Sequence, residues 1–527
     1  MSTPEKTRTS FVAAERQRRL AKLDALRERG IEPYPERFDR DATIAQVRAA
    51  HEGLAAGAAS GATVKVAGRM RAMRDHGGLV FCDLKDHTGK IQLLVSRAGA
   101  GDELFADVCD LDAGDWVGVE GEVVRSRSGE LSVAVTGCRL LSKALRTVPN
   151  RPLTDMETRT RQRYLDLILN DDTRRVFEIR HKTLASLRRS LGAADFTEVE
   201  TAVLSALSAG AAARPFETYH NALDRDMVMR IALELPLKRL IVGGLDRVFE
   251  IGRCFRNEGI DGRHNPEFTM LEAYQAFADV HDMMDLTEHL FTQAARDALG
   301  TTVVTIEDHE YDLAVPWKRV TMAAMIKQHS GHDMHPSMPL EEARAIAREV
   351  GAEWNPAFGP GAIMAEVFET VAERHCIDPV MIYDYPREIS PLAKAKPGDP
   401  DMVDRFELLI GRREVANAYS ELNDPVDQRE RFEAQAEAKA AGDEEAQDID
   451  QDYVRALEYG LPPTGGLGIG VDRLVMLLAG VDQIREVILF PTLRDTGDEL
   501  TQRRRARARV GALPDAAALA APTPAPQ

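Results

Sequence analysis

Residues 253–274 constrain the fold and function of this 527-residue chain more than any other segment. Two runs with polar or ionic side chains at every second position are joined there by a short charged loop. Because successive side chains of a strand point to opposite faces, this spacing predicts two strands sharing a polar face. Such a face is typical either of a solvated edge with ion pairs or of a site for a charged ligand. Its side chains are Arg256 and Glu258 on the first run, and Phe268, Met270, Glu272 and Tyr274 on the second.

The composition is typical of a soluble globular protein with two or three domains. Hydrophobic residues make up 44% of the chain and charged residues 29%. No apolar run approaches the ~18 residues that span a bilayer, and the N-terminus lacks the apolar core of a secretory signal. Five scattered cysteines without a CxxC pair indicate neither a disulfide framework nor a zinc site. We therefore expect a cytoplasmic protein that does not bind membranes.

The N-terminal region divides into a helical part and a part rich in short strands. Residues 1–60 form a helical extension whose basic helix either packs on the next domain or offers a surface to RNA, and the two roles are compatible. Residues 61–148 contain about five strand-like runs separated by Gly, Asp and Ser turns. This pattern predicts a small β-barrel such as the OB-fold, which commonly binds single-stranded nucleic acid.

Three side chains of the predicted barrel suit a nucleic-acid surface. Arg74, Phe81 and Gln92 could supply a cation, a stacking ring and an amide for a base edge. Each is weak as a single residue, and an isolated phenylalanine such as Phe81 is more often part of a core. The net charge of −18 argues mildly against a nucleic-acid partner, although a local basic patch decides the question.

Two further constellations support a binding site in residues 149–496. In residues 404–424, Asn417, Tyr419 and Glu421 alternate on one predicted strand face, with Glu407 and Glu414 upstream. Carboxylates and an amide gathered in this way suit Mg²⁺, a cationic ligand, or both.

The second constellation is a glycine-rich turn in residues 465–478 that precedes a predicted helix. The first helical turn presents Asp472 and Arg473, and neither a Walker loop nor a GxGxxG fingerprint is present. An arginine at such a turn, in a chain that already holds a magnesium-like carboxylate set, is a plausible contact for a triphosphate.

Several long motifs together resemble one family of enzymes. FRNEGIDGRHNPEF is similar to motif 2 of the class II aminoacyl-tRNA synthetases, and GLGIGVDRLVMLL is similar to motif 3. With ARPFETYHNALD, RIALELPLKRL and ANAYSELNDP, the chain resembles the lysyl-tRNA synthetases from about residue 10 to 494. The resemblance implies an α+β protein with an OB-fold anticodon-binding domain and a catalytic domain whose antiparallel sheet is flanked by helices. Residues 497–527, rich in Arg, Ala and Pro, are predicted to be a disordered tail.

The resemblance also implies a role for each matching residue. Arg256 and Arg473 would neutralise charge during catalysis, and Arg74, Phe81 and Gln92 would contact the anticodon. Glu407 and Glu414 would bind two or three Mg²⁺ ions. The implied ATP-binding residues are Arg256, Glu258, His264, Phe268 and Arg473. The implied lysine-binding residues are Gly210, Glu234, Arg256, Glu272, Tyr274, Asn417, Tyr419 and Glu421.

The implied reaction activates L-lysine with ATP and transfers it to the 3′ end of tRNA(Lys), with no side chain as general base. A homodimer is expected from the family. The alternative is a paralogue with an altered pocket, either an inhibitor-tolerant duplicate or an enzyme that aminoacylates another acceptor. It is raised by departures from the family pattern, where this chain has Asp195 for Gly, Ala202 for Pro, Ala209 for Gly, Leu233 for Pro and Pro236 for Tyr.

Overall fold

The computed structural model divides the chain into two compact units, Met1–Leu153 and Thr154–Gln527. Nearly all of the predicted disordered tail lies outside the described residues, as does Ala209. Among the helices that are described, none is both long enough and apolar enough to cross a membrane. The structure describes residues 4–207, 210, 213–306, 309–440 and 449–497.

The first unit is built on a closed barrel of five strands in the order β1-β2-β3-β5-β4, which confirms the predicted barrel. Alternation produces its core: Val80, Cys82 and Leu84 point inward from β2 and are fully buried. The elements are α1 (Pro4–Glu28), α2 (Ile44–His51), β1 (Ala59–Asp75), β2 (Leu79–Lys85), β3 (Lys90–Ser96), α3 (Arg97–Ala100), α4 (Asp102–Asp110), β4 (Trp116–Arg125) and β5 (Leu131–Ser142).

Helix α1 is attached to this unit by basic side chains as well as by an apolar one. Leu23 is buried, and the Arg19 guanidinium donates to the carbonyl oxygens of Ala113 and Ala144 at 3.1 and 2.9 Å. Arg18 forms an ion pair with Asp112. The predicted packing of the helix on the barrel domain is therefore present, and several of its basic groups are used for that packing.

The second unit contains a nine-stranded, mainly antiparallel sheet with the order β14-β15-β17-β18-β19-β11-β10-β6, in which β16 pairs with β17. The strands of the unit are β6 (Thr197–Glu198), β7 (Leu204–Ser205), β8 (Glu217–His220), β9 (Arg225–Met229), β10 (Arg247–Phe255), β11 (Glu267–Ala276), β12 (Val303–Ile306), β13 (His309–Asp312), β14 (Lys318–Thr321), β15 (Val380–Pro386), β16 (Ala395–Lys396), β17 (Asp399–Leu409), β18 (Glu414–Ser420) and β19 (Thr464–Gly470).

Helices cover one face of this sheet, and a smaller group of helices forms a second core beside β15. The helices of the unit are α5 (Met156–Arg161), α6 (Arg163–Leu169), α7 (Asp171–Ala193), α8 (Glu234–Val242), α9 (Val280–Leu299), α10 (Met322–Ser330), α11 (Leu340–Val350), α12 (Pro360–Val371), α13 (Pro425–Ala440), α14 (Gln451–Glu458), α15 (Val471–Ala479) and α16 (Ile484–Val487).

The two faces of the central sheet differ in polarity because the side chains alternate along each strand. Leu271 and Ala273 of β11 are buried in the main core together with residues of α7, α9 and α15. Glu272 and Tyr274, one position away on the same strand, line a cavity on the other face. The apolar face thus supports the strands rigidly, and the polar face is left for a ligand.

The predicted strand pair is present, but its first strand is shorter than the sequence pattern indicates. β10 ends at Phe255, so Arg256 and Glu258 follow the strand instead of sharing one of its faces. Arg256 still continues the pairing for one step, because its N–H donates to the carbonyl oxygen of Pro266 at 2.9 Å. The loop therefore begins one residue after the strand, and Arg256 is fixed by its backbone.

Asp195, where the family has glycine, occupies a left-handed backbone conformation with φ of 62°. A side chain costs about 1 kcal/mol or more there, although aspartate tolerates the region better than most residues. We therefore expect Asp195→Gly to raise the free energy of unfolding by about 1 kcal/mol in urea denaturation. Asp195→Ala is the control, and an unchanged or lower stability of the glycine variant would contradict the prediction.

Candidate active site

A cavity of about 720 Å³ lies on the polar face of β11, β18 and β19. Of the catalytic-domain residues predicted from the sequence, only Glu407 is not part of its lining. The structure therefore brings residues from distant parts of the chain to one place. The predicted residues that line the cavity are Gly210, Glu234, Arg256, Glu258, His264, Phe268, Glu272, Tyr274, Glu414, Asn417, Tyr419, Glu421 and Arg473.

Three buried carboxylates, Glu234, Glu272 and Glu421, dominate one end of the cavity. The Tyr274 hydroxyl donates to Oε2 of Glu272 at 2.9 Å, and the Tyr419 hydroxyl donates to Oε2 of Glu234 at 2.7 Å. Glu234 also begins α8, where the N-terminal end of the helix dipole favours a negative charge. Hydrogen bonds therefore orient two of the carboxylates before any ligand arrives.

Lys238, which sequence reasoning missed, is the cation that accompanies these carboxylates. Its side chain is fully buried, and its ammonium donates to Oε1 of Glu234 at 2.5 Å and forms an ion pair with Oε2 of Glu421. The one available signal was its position four residues after Glu234 on a predicted helix, a spacing at which opposite charges meet. In the sequence, Lys238 and neighbouring Arg239 look like the end of an ordinary solvated helix, and Arg239 is in fact partly exposed.

The second carboxylate oxygen of Glu421, Oε1, has no hydrogen-bond partner among the described residues. Glu421 is only 1% exposed, so water is largely excluded from it. A buried carboxylate oxygen that lacks a donor is costly, because its hydration is lost and not replaced. Glu421, which lines the cavity, thus offers an unpaired carboxylate oxygen to a ligand that brings its own N–H donor.

Glu272 has a pKa raised to about 7, mainly by burial and then by the nearby Glu234 carboxylate. Its ionised form would attract a ligand ammonium, and its protonated form would not. If the ligand is the lysine that the resemblance implies, we expect its KM to be constant above about pH 8 and to rise roughly tenfold per pH unit below pH 7. ATP–pyrophosphate exchange measured at several lysine concentrations between pH 5.5 and 9 checks this.

Leu233 provides the control, because its N–H donates to Oε1 of Glu272 at 2.9 Å and thereby lowers the pKa of that carboxyl. The family's proline at this position has no N–H. Leu233→Pro is expected to move the rise in KM to higher pH, whereas Leu233→Ala keeps the donor and removes only the buried side chain. Identical pH profiles for the two variants would contradict this account of Glu272.

The neighbouring departure from the family, Pro236, is compatible with the helix. It is the third residue of α8, and Leu237 is the first to donate back along the helix, to Leu233 at 3.3 Å. The N–H groups of a first helical turn lack partners within the helix. The donor that proline lacks is therefore one that the helix does not use.

The other end of the cavity carries the predicted nucleotide-binding side chains. The Arg256 guanidinium lies 5.2 Å from the centre of the Phe268 ring, and its buried Nε has no hydrogen-bond partner among the described residues. The Arg473 guanidinium donates to the Glu414 carbonyl oxygen at 2.8 Å. Two arginines and an aromatic ring facing one space suit a nucleotide with a phosphate chain.

His264 connects the loop after β10 to Arg473. Its Nδ1 lies 2.8 Å from Oδ2 of Asp261, and its Nε2 lies 3.3 Å from the Arg473 guanidinium. Hydrogen bonding by His264 lowers the pKa of Asp261 to about 2. An Nδ1–H that donates to Asp261 leaves Nε2 free to accept from Arg473, so this contact fixes the tautomer.

Glu407 and Glu414, the predicted metal ligands, lie on neighbouring strands β17 and β18. Glu407 accepts from the Arg405 guanidinium at 2.5 Å, and burial together with the nearby Glu414 raises its pKa. Two carboxylates on neighbouring strands are oxygen donors of the kind Mg²⁺ prefers. The residues therefore fit the implied ion, with Arg405 as a partner of Glu407 that sequence reasoning missed.

Arg74, Phe81 and Gln92 lie on one outward face of the barrel. Arg74 is opposite Phe81 across β1 and β2, and Gln92 is opposite Asp83 across β2 and β3. Phe81 is half-buried and not part of the core. The Arg74 guanidinium donates to Asp83 at 2.9 Å, and Gln92 accepts from the Ser132 hydroxyl at 3.0 Å. The three side chains thus form one patch of the composition used to bind unpaired bases.

Comparison with known protein families agrees with this geometry. Residues 155–494 match the family described as tRNA synthetases class II (D, K and N). Residues 64–141 match the OB-fold nucleic acid binding domain. The chain therefore belongs to the class II tRNA synthetases, and the predicted combination of an OB-fold with a class II catalytic domain is confirmed.

Individual relatives narrow the class further. The chain is 50% identical over 478 residues to a protein of Moorella thermoacetica named lysine–tRNA ligase, with 90% of this chain and 97% of that protein covered. Proteins of the same name from Enterococcus faecalis and Bacillus subtilis are 49% and 48% identical over 480 residues, covering 90% of this chain and 96% of each relative.

Proposed function

We propose that this protein is a lysine–tRNA ligase. The observation that carries the proposal is the buried Glu421, which lines the cavity and whose Oε1 has no donor among the described residues. Among the three amino acids of the D, K and N group, only lysine brings an ammonium to that position. An aspartate carboxylate would be repelled by Glu421, and an asparagine amide would leave part of its charge unmatched.

The charges of the pocket support a diamino acid. Glu234, Glu272 and Glu421 supply three carboxylates, and Lys238 supplies one ammonium. When all four are ionised, the two remaining negative charges match the two ammonium groups of lysine. Arg256 is then available for the lysine carboxylate, which a planar guanidinium can bind with two hydrogen bonds.

The residues of the chain would promote adenylate formation by position and charge. Arg256 would hold the lysine carboxylate near the α-phosphate of ATP, and Arg473 would neutralise charge farther along the phosphate chain. Mg²⁺ bound by Glu407 and Glu414 would add charge neutralisation. Phe268, Glu258 and His264 would bind the nucleotide, and Gly210, Tyr274, Asn417 and Tyr419 would complete the lysine pocket.

The tRNA(Lys) anticodon is the proposed partner of the outward patch formed by Arg74, Phe81 and Gln92. This patch favours a tRNA acceptor over the alternative of a paralogue that modifies another molecule. We propose in addition that the enzyme acts in the cytoplasm, where translation takes place, and that it is a homodimer, both on family grounds. Sedimentation that shows a monomer at micromolar concentration would contradict the dimer.

The test has two stages. Lysine-dependent ATP–pyrophosphate exchange should be present, with little exchange from aspartate or asparagine, and the enzyme should then charge a tRNA(Lys) transcript. Exchange without charging would favour the paralogue that uses another acceptor. Absence of exchange with lysine and its analogues would reject the enzymatic proposal.

A further inference from the structure

Lys238 is a fully buried cation that lies next to the cavity without lining it. It lies behind Glu234 and Glu421. The Tyr419 and Tyr453 ring centres lie 5.5 and 5.9 Å from its Nζ. Burial of an ammonium is unfavourable, so a lysine in such surroundings lowers stability unless charged partners compensate for its lost hydration.

The charge of Lys238 is directed at a particular oxygen of Glu421. Its Nζ forms the ion pair with Oε2, and Oε1 has no hydrogen-bond donor in the part of the chain that the structure describes. Gly466 lies against that second oxygen, since a Cβ built there would be 1.8 Å from Oε1. One carboxylate oxygen is therefore paired with Lys238, and the other lies against Gly466 in a residue that lines the cavity.

Of the charged groups around Glu421, two carboxylates disfavour a negative charge there and Lys238 favours it. Burial raises the pKa of Glu421 well above its ordinary value, Glu234 and Glu272 raise it further, and Lys238 is the group that lowers it. Without Lys238, the carboxyl would hold its proton more tightly and attract an ammonium less. The groups around it are Glu234 and Lys238 from α8, Glu272 and Tyr274 from β11, Tyr419 from β18 and Tyr453 from α14.

We propose that Lys238 is a positioning residue for amino-acid selection, which keeps Glu421 ionised and leaves its Oε1 to accept from the side-chain ammonium of the substrate. The inference rests on the proposed function, because it assigns that oxygen to lysine. Lys238 does not touch the substrate in this account and acts through the carboxylates that it pairs with, of which Glu421 is the one assigned to the substrate side chain. It is therefore a determinant of specificity that lies behind the pocket wall.

Lys238→Met tests the proposal through the pH dependence of lysine use. We expect the KM for lysine to rise at least about tenfold at pH 7, and this increase to become smaller as the pH is raised and more of Glu421 loses its proton. The measurement is ATP–pyrophosphate exchange at varied lysine concentration and constant saturating ATP, between pH 6.5 and 9. An unchanged KM, or an increase that is the same at every pH, would overturn the proposal.

Two further variants separate this role from simple support of the fold. In a Glu421→Gln background, Lys238→Met should add little to the KM, because the charge on which Lys238 acts is gone. If the single variant folds poorly, this double variant leaves only the Glu234 carboxylate without its lysine partner. Full additivity of the two effects would overturn the proposal.

Lys143→Met is the matched control. Lys143 is a buried lysine paired with Asp112 and Asp115 in the first unit, so its loss should lower stability and leave the KM for lysine unchanged. If the wild-type enzyme catalyses exchange with lysine and Lys238→Met has the same KM for lysine, this inference is rejected and the proposed function is not. Absence of wild-type exchange with lysine would reject the proposed function and the inference with it.

Discussion

Replacing Gly466 with alanine is expected to lower kcat/KM for lysine at least about 100-fold. A Cβ at this position would lie 1.8 Å from Oε1 of Glu421 and 2.6 Å from a ring carbon of Tyr274. Such distances are far below van der Waals contact, so the carboxylate and the ring must both move. Because Oε1 is the proposed partner of the substrate ammonium, the displacement should remove lysine recognition. Steady-state exchange at varied lysine concentration measures the loss.

Gly468, two residues farther along β19, is the matched position. A Cβ there would meet its nearest neighbour, Cε of Met270, at 3.6 Å, which is an ordinary contact. Gly468→Ala should therefore change lysine affinity by no more than a few-fold in calorimetric binding measurements. Equal losses for the two alanine variants would show that the strand tolerates no side chain at all, and would contradict the specific role assigned to Gly466.

Arg256→Lys should have the second large effect, a fall in the rate of lysine activation of about 100-fold or more. The substitution keeps the positive charge but replaces a planar fork with a single ammonium. Arg256 is fixed by its backbone hydrogen bond to Pro266 and has a buried Nε available for a ligand. If it holds both the lysine carboxylate and the α-phosphate, a point charge cannot replace it. Single-turnover formation of the adenylate is the measurement.

Arg263 is the comparison, because it also lines the cavity but its side chain is exposed on the loop between β10 and β11. Arg263→Lys should retain most of the activity, since an exposed arginine loses little when only its shape changes. Wild-type rates for Arg256→Lys would mean that charge alone is required, and the two-ligand role of Arg256 would have to be abandoned.

Much of the cavity could be predicted because local patterns determine it. Strand alternation places Glu272 and Tyr274 on one face and Leu271 and Ala273 on the other, whatever the rest of the fold is. The barrel was predictable for the same reason, since short alternating runs between turn residues specify strands locally. The resemblance to known motifs then brought residues from separate segments into one expected site.

The remaining features depend on contacts between distant segments. Lys238 looks like a solvated residue until Glu421 and Tyr453 are brought against it by other elements. The alternating pattern could not predict that β10 ends before Arg256, because polar residues continue with the same spacing into the loop. The role of Leu233 depends on a backbone N–H, which no pattern of side chains reports.

The placement of α8 has a consequence for the evolution of the enzyme. The nine residues of this helix and its capping residue Leu233 carry Glu234 and Lys238, whereas the nucleotide side of the cavity is built from Phe268 at the start of β11, from α15 and from the loop after β10. Mutations in the helix can alter which amino acids or amino-acid-like antibiotics are accepted while the machinery for ATP is inherited unchanged. Selection for drug tolerance therefore has a small and separate target in this protein.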